Sequence, residues 1–183
     1  YAINYFKDLK KKYGADKIRK TEIKIFESID ATKVVVANKK LYVNREEGFI
    51  GTSLRKDEFI GDCSDIDDII VIRDNGLMQV VKIDSKVFVG KGIVHAAVFK
   101  KKDTRTIYNM IYFDGKSGYS MMKRFNVSSI TRNRDYVLTK SDTNSKIIYL
   151  TSNPNGEAEK ITIYLRKVQR LKILKFDYDF ANL

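Results

Sequence analysis

The feature that most constrains this chain is a recurring hairpin pattern: an alternating apolar run, a turn, then a second alternating run. Val34 and Val36 face Leu41 and Val43 across Ala37-Asn38-Lys39-Lys40. Ile69 to Ile83 folds around Asp74-Asn75-Gly76, Ile107 to Phe125 around Asp114-Gly115-Lys116-Ser117-Gly118, and Ile147 to Leu165 around Asn153-Pro154-Asn155-Gly156. The turns centre near residues 39, 75, 116 and 155, a spacing of about 40 residues that falls in the range of propeller-type β repeats. Links such as Val94 to Phe99 supply further strands to each unit. The absence of Trp removes the WD40 version of the pattern. Only the start differs: Ile3, Phe6, Leu9 and Tyr13 recur at helical spacing, with Gly14 closing the helix at the C′ position.

Charge is segregated along these repeats. The chain carries 35 Lys and Arg against 23 Asp and Glu, net +12, a balance that suits a polyanionic partner. Residues 41 to 75 are acidic, whereas 95 to 140 and 160 to 175 are basic, the latter without any acid. If successive hairpins are successive blades, the later blades form a continuous basic arc. Lys100, Lys101, Lys102, Arg105, Lys116, Lys123, Arg124, Arg132, Arg134, Arg166, Lys167, Arg170 and Lys172 are the candidate phosphate contacts, assigned by charge and turn position.

Catalytic constellations are poorly supplied. The one histidine, His95, lies in an apolar alternating run and reads as a strand residue. Asp62, Asp65, Asp67 and Asp68 form the single carboxylate cluster and read as a solvated acidic loop, without the glycine and terminal glutamate of a calcium loop. A magnesium-dependent hydrolase centred on Asp65 and Asp67 lacks a general acid or base. Cys63, the lone cysteine, reads as a small buried residue, and its isolation excludes an internal disulfide framework, as in a reducing cytosol. The chain opens on Tyr1 with no apolar leader and holds no run long enough to span a bilayer, so it reads as a fragment of a longer protein.

The stretch Tyr5-Phe6-Lys7-Asp8-Leu9, through Lys12-Tyr13-Gly14 to Arg19-Lys20-Thr21-Glu22-Ile23, resembles the segment of bacterial type IIA topoisomerase A subunits that leaves the coiled-coil tower and enters the C-terminal domain. Val34 to Gly51, including Ala37-Asn38-Lys39-Lys40-Leu41-Tyr42-Val43 and Glu46-Glu47-Gly48, is similar to the first blade of the topoisomerase IV version, and Asp68 to Leu165 to the blades that follow. The Gln-Arg-Arg-Gly-Gly-Lys-Gly box of gyrase has no match; Gly115-Lys116-Ser117-Gly118 is a poor substitute.

The resemblance implies a mainly β chain: a partial propeller-like β-pinwheel of about four hairpin blades after a short N-terminal helix. Residues 1–28 are then helix and linker from the tower, and 29–183 the DNA-binding pinwheel. The implied function is non-sequence-specific binding and bending of double-stranded DNA, presenting a transport segment for ATP-dependent strand passage. The fragment itself is non-catalytic and needs no cofactor, since ATP and magnesium serve the catalytic core and the partner subunit of an A2B2 enzyme. Its partners are the B subunit together with the rest of the A subunit, in the bacterial cytoplasm at the nucleoid and away from any membrane. The alternative is a propeller-like interaction module docking an acidic protein.

Overall fold

A computed structural model describes residues 1–15, 38–141, 143–169 and 171–183. The chain divides into two compact units, 1–34 and 35–183.

In the first unit, α1 spans Ala2–Tyr13 and buries none of its side chains; Ile3, Phe6 and Tyr13 are all exposed. Gly14 ends the helix as expected, but not in the left-handed conformation of a C′ glycine. It stays right-handed at φ −88°, with its N–H donating to the Lys10 carbonyl.

The second unit is built from small antiparallel sheets. Strands β1 (Lys39–Asn44), β2 (Phe49–Gly51) and β3 (Glu58–Cys63) begin the first sheet. Next come β4 (Asp68–Arg73), β5 (Leu77–Lys82), β6 (Val87–Phe88) and β7 (Ile93–Phe99). After them β8 (Ile107–Phe113), β9 (Ser120–Asn126), β10 (Tyr136–Val137) and β11 (Lys146–Asn153) lead to β12 (Lys160–Tyr164) and β13 (Lys175–Asp179). The sheet orders are β3-β1-β2-β6, β10-β5-β4-β7, β11-β8-β9 and β12-β13.

Two of the expected hairpins form where the turn chemistry placed them: β4–β5 around Gly76 at φ +81°, and β8–β9 around a turn ending in Gly118 at φ +73°. Two do not. Lys39 and Lys40 open β1 instead of forming a turn, and the first reversal is Arg45 to Gly48, where the Asn44 side chain accepts from the Glu47 N–H and Gly48 takes φ +79°. Residues 34–37 of that reading lie outside the described residues, as does the 19–23 stretch. The Asn153–Gly156 turn does form, but β11 pairs with β8 and β12 with β13. Between that turn and β12, the Glu159 carboxylate accepts from Asn109 Nδ2, Tyr149 OH and Thr151 Oγ1.

The repeat works by stepping back. Two-residue β6 follows the second hairpin yet pairs with β2 of the first sheet, and β10 follows the third yet pairs with β5 of the second. Each of the first two sheets is thereby clasped by a strand that follows the next hairpin, consistent with a β-pinwheel, and no sheet closes into a barrel among the described residues.

Sequence alternation accounts for the packing. In β4 Ile69 and Val71 point into one core with Leu41, Val43, Ile50, Val81 and Ile93, while Ile70 and Ile72 point into a second with Met78, Val80, Tyr108, Met110 and Ile147. A strand buried on both faces reads as a continuous apolar run, which Ile69-Ile70-Val71-Ile72 is. Burying each such side chain contributes about 1.5–3 kcal/mol.

His95, in β7, meets the Tyr108 ring edge-on at 5.5 Å, and its Nε2 has no hydrogen-bond partner. Burial, and secondarily the charge of Arg45, push its pKa from 6.5 down to about 4. Above pH 6.5 neither folded nor unfolded chain is protonated there, and this contribution to stability is fully present. As the pH falls from 6.5 towards 4, the unfolded chain takes up a proton that the folded one refuses. Urea unfolding at pH 7.5 and 4.5 is therefore expected to show a loss of about 2–3 kcal/mol that His95→Gln removes; superimposable pH profiles for the two proteins would contradict this.

Candidate nucleic-acid interface

The basic candidates fall into groups set by strand geometry. Phe99 lies opposite Asp68, and Asn126 and Asn153 both lie opposite Ile107, so the β7–β8 loop and the loops after β9 and after β11 share one end of the sheets. Lys100, Lys101, Lys102, Arg105 and Arg132 all stand on those loops and are exposed.

The loops are tied together. The Lys102 N–H donates to the Ser128 carbonyl at 2.9 Å, from a backbone at φ 61°. Asp103 accepts from the Arg105 N–H, the Thr106 N–H and the Thr106 hydroxyl, which hold its carboxyl below the usual range, the hydroxyl most strongly. Arg105 Nη2 donates to Asn155 Oδ1 at 3.0 Å. Lys100 and Arg105 line a cavity of about 490 Å³ floored by Ala97, Tyr108 and Val127.

Asp68 organises the group, and here the solvated-loop expectation fails for that residue. Its side chain is 4% exposed at the start of β4, where it pairs with Arg132 Nε at 2.6 Å and Lys101 Nζ at 3.5 Å. A buried carboxylate is strongly disfavoured without partners, so it draws in one cation from each of two separate loops. The signal was present in the sequence as an aspartate directly preceding a doubly buried strand. Its neighbours behave as read: Asp65 is exposed and pairs with Lys39 at 3.0 Å, and Asp67 caps the Ser64 N–H. No group of three or more metal-ligating side chains converges among the described residues. Cys63 is fully buried, and burial above all pushes its thiol pKa up.

Other candidates stand apart. Lys116 sits in the β8–β9 turn, at the far end of a seven-residue strand and so about 23 Å from Arg105. Lys123 and Arg124 are neighbours in β9, so they point to opposite faces and cannot share one rim. Lys123 Nζ donates to the Leu138 carbonyl at 2.7 Å beside the Phe125 ring, and burial lowers its pKa; Arg124 Nη2 donates to the Gly156 carbonyl at 2.6 Å. Both cations are engaged inside the fold. Arg134 lies 5.5 Å over the Tyr136 ring and is exposed. Arg166, Lys167 and Lys172 are exposed in the loop joining β12 to β13, and Arg170 lies outside the described residues. Lys82, directly opposite Asp68 and exposed, belongs to the basic end although charge runs in the sequence did not single it out.

A stepped-back stack of β-sheets with a basic end defines a pinwheel module of the kind that sequence resemblance implied. A family model for the topoisomerase C-terminal domain of Bacteroidota matches residues 40–183, and the chain belongs to that family. It is 34% identical over 137 residues to the A subunit of DNA topoisomerase 4 from Borreliella burgdorferi, an alignment covering 74% of this chain and 22% of that protein. The chain thus corresponds to about a fifth of that relative's length. No solved structure gives a significant match. Among the described residues no helix is long and apolar enough to cross a membrane.

Proposed function

We propose that this chain is the duplex-capturing part of a topoisomerase IV-like A subunit: it binds double-stranded DNA by its phosphates, without sequence preference, and bends it. The observation that carries this reading is that Lys100, Lys101, Lys102 and Arg105 of the β7–β8 loop and Arg132 of the loop after β9 stand together at one end of the sheets. Phosphate neutralisation releases condensed counterions whatever the base sequence, so a rim of exposed cations suffices for such binding. Arg134 and the exposed Arg166, Lys167 and Lys172 are further candidate contacts that stand apart from that end.

The chain performs no bond chemistry. Strand cleavage, ATP and magnesium belong to a B subunit together with the rest of the A subunit, in the cytoplasm, and the captured duplex is the segment handed to them. Bending a short site by 40–90° costs about 1–6 kcal/mol, so several cations must act together. A duplex of about 20 base pairs carrying donor and acceptor dyes at its ends is expected to show increased energy transfer on binding. Binding with unchanged transfer would remove bending from the function and leave capture alone.

A further inference from the structure

The outward face of the first sheet carries one aromatic residue on each of its four strands. Phe59 on β3 is paired with Tyr42 on β1, and Phe49 on β2 with Phe88 on β6. Asn44 lies opposite Phe49, and Asn44 and Tyr42 share a face of β1, so all four rings lie on one side, away from the core side chains Leu41, Val43 and Ile50. The ring centroids are 5.7 Å apart in the first pair and 5.2 Å in the second. The two end rings are open to solvent, Phe59 at 51% and Phe88 at 62%. Across three strand spacings they stand about 14 Å apart.

Cations border this row. Lys86 Nζ lies 4.1 Å over Phe49 and Lys40 Nζ 5.8 Å over Phe59. A cleft of about 490 Å³ beside Tyr42 is lined by Lys39, Lys40 and Arg55. Carboxylates stand here too, Asp57 accepting from Asn44 Nδ2 at 3.0 Å and the exposed Asp62 lying opposite Lys40, so the charge of the face is mixed; the ammonium groups beside the rings are what an anionic occupant would meet.

We infer that this face binds single-stranded DNA, with unpaired bases stacking on Phe59 and Phe88 and the backbone running along Lys40, Lys86 and the cleft. A duplex cannot use such a surface because its bases are already stacked on one another. A four-stranded sheet presenting aromatic rings is a geometry suited to two or three splayed bases, and base-to-ring stacking tolerates any sequence. The site is separate from the basic end and does not rest on the duplex reading.

The test compares three labelled probes on the intact chain: a thymidine oligonucleotide of about 12 nucleotides, an abasic strand of equal length, and a duplex. The thymidine strand is expected to bind more tightly than the abasic one. Phe59→Ala with Phe88→Ala is expected to weaken it about tenfold or more, while duplex affinity stays within about twofold and Phe59→Tyr with Phe88→Tyr keeps the binding. Equal affinity for thymidine and abasic strands would overturn the proposal. So would an alanine pair that leaves thymidine binding unchanged, or one that weakens duplex binding to the same extent.

Discussion

Replacing Lys100, Lys101 and Lys102 together with Glu is expected to weaken duplex binding by about 100-fold or more at 50 mM salt. Three phosphate contacts are lost and three repulsions added at the point where the loops after β7 and β9 meet. Lys100 and Lys102 are exposed, but Lys101 Nζ pairs with the buried Asp68, so the variant should unfold at a lower urea concentration than wild type, and binding is compared where both proteins are folded. Lys102 is the position most sensitive to shape, since its backbone is left-handed at φ 61°, but Glu is no worse there than Lys. Single reversals should each cost far less, because binding is spread over the rim. A triple variant that binds like wild type would remove the basic end from the interface altogether.

The largest effect on stability is expected at Phe180, close to the end of the described chain. It is fully buried, stacks on Tyr149 at 6.4 Å and meets Tyr178 edge-on at 5.9 Å. Its N–H donates to the Glu159 carbonyl, whose residue is held in turn by Asn109, Tyr149 and Thr151. These contacts fasten the β12–β13 ribbon to the third sheet at its base. Phe180→Ala is expected to cost about 3–5 kcal/mol, read as a lower urea midpoint, and to lower the thermal midpoint by about 10 °C. A loss below about 1 kcal/mol would mean that the ribbon is held by something other than this ring.

The parts of the fold legible in the sequence were those fixed by local chemistry. Gly76 and Gly118 dictate turns by their left-handed backbone conformation, and the apolar runs on either side pair across them as hairpins. The stepped-back strands were not legible. Val87–Phe88 and Tyr136–Val137 are too short to show a period, and their partners are chosen by sheet stacking, not by neighbouring residues. The same limit undid the β11–β12 pairing, where a turn formed as read but β11 pairs with β8 and β12 with β13. Of the candidate contacts, those on loops are exposed, since loop residues project outward whatever the topology. Within strands charge misleads: Lys123 and Arg124 look alike in sequence yet face opposite ways and donate to carbonyls within the fold. Asp68 differs for the converse reason: its place at the head of a doubly buried strand, not its acidic neighbours, decides what it does.

Capture of duplex DNA through phosphates is tested most directly by measuring affinity for one duplex across 50 to 200 mM salt, with two unrelated base sequences. With six or more phosphates engaged, affinity should fall by about 10³-fold or more over that range, and equally for both sequences. A flat dependence on salt, or a clear preference for one sequence, would contradict a rim that reads only the phosphate backbone.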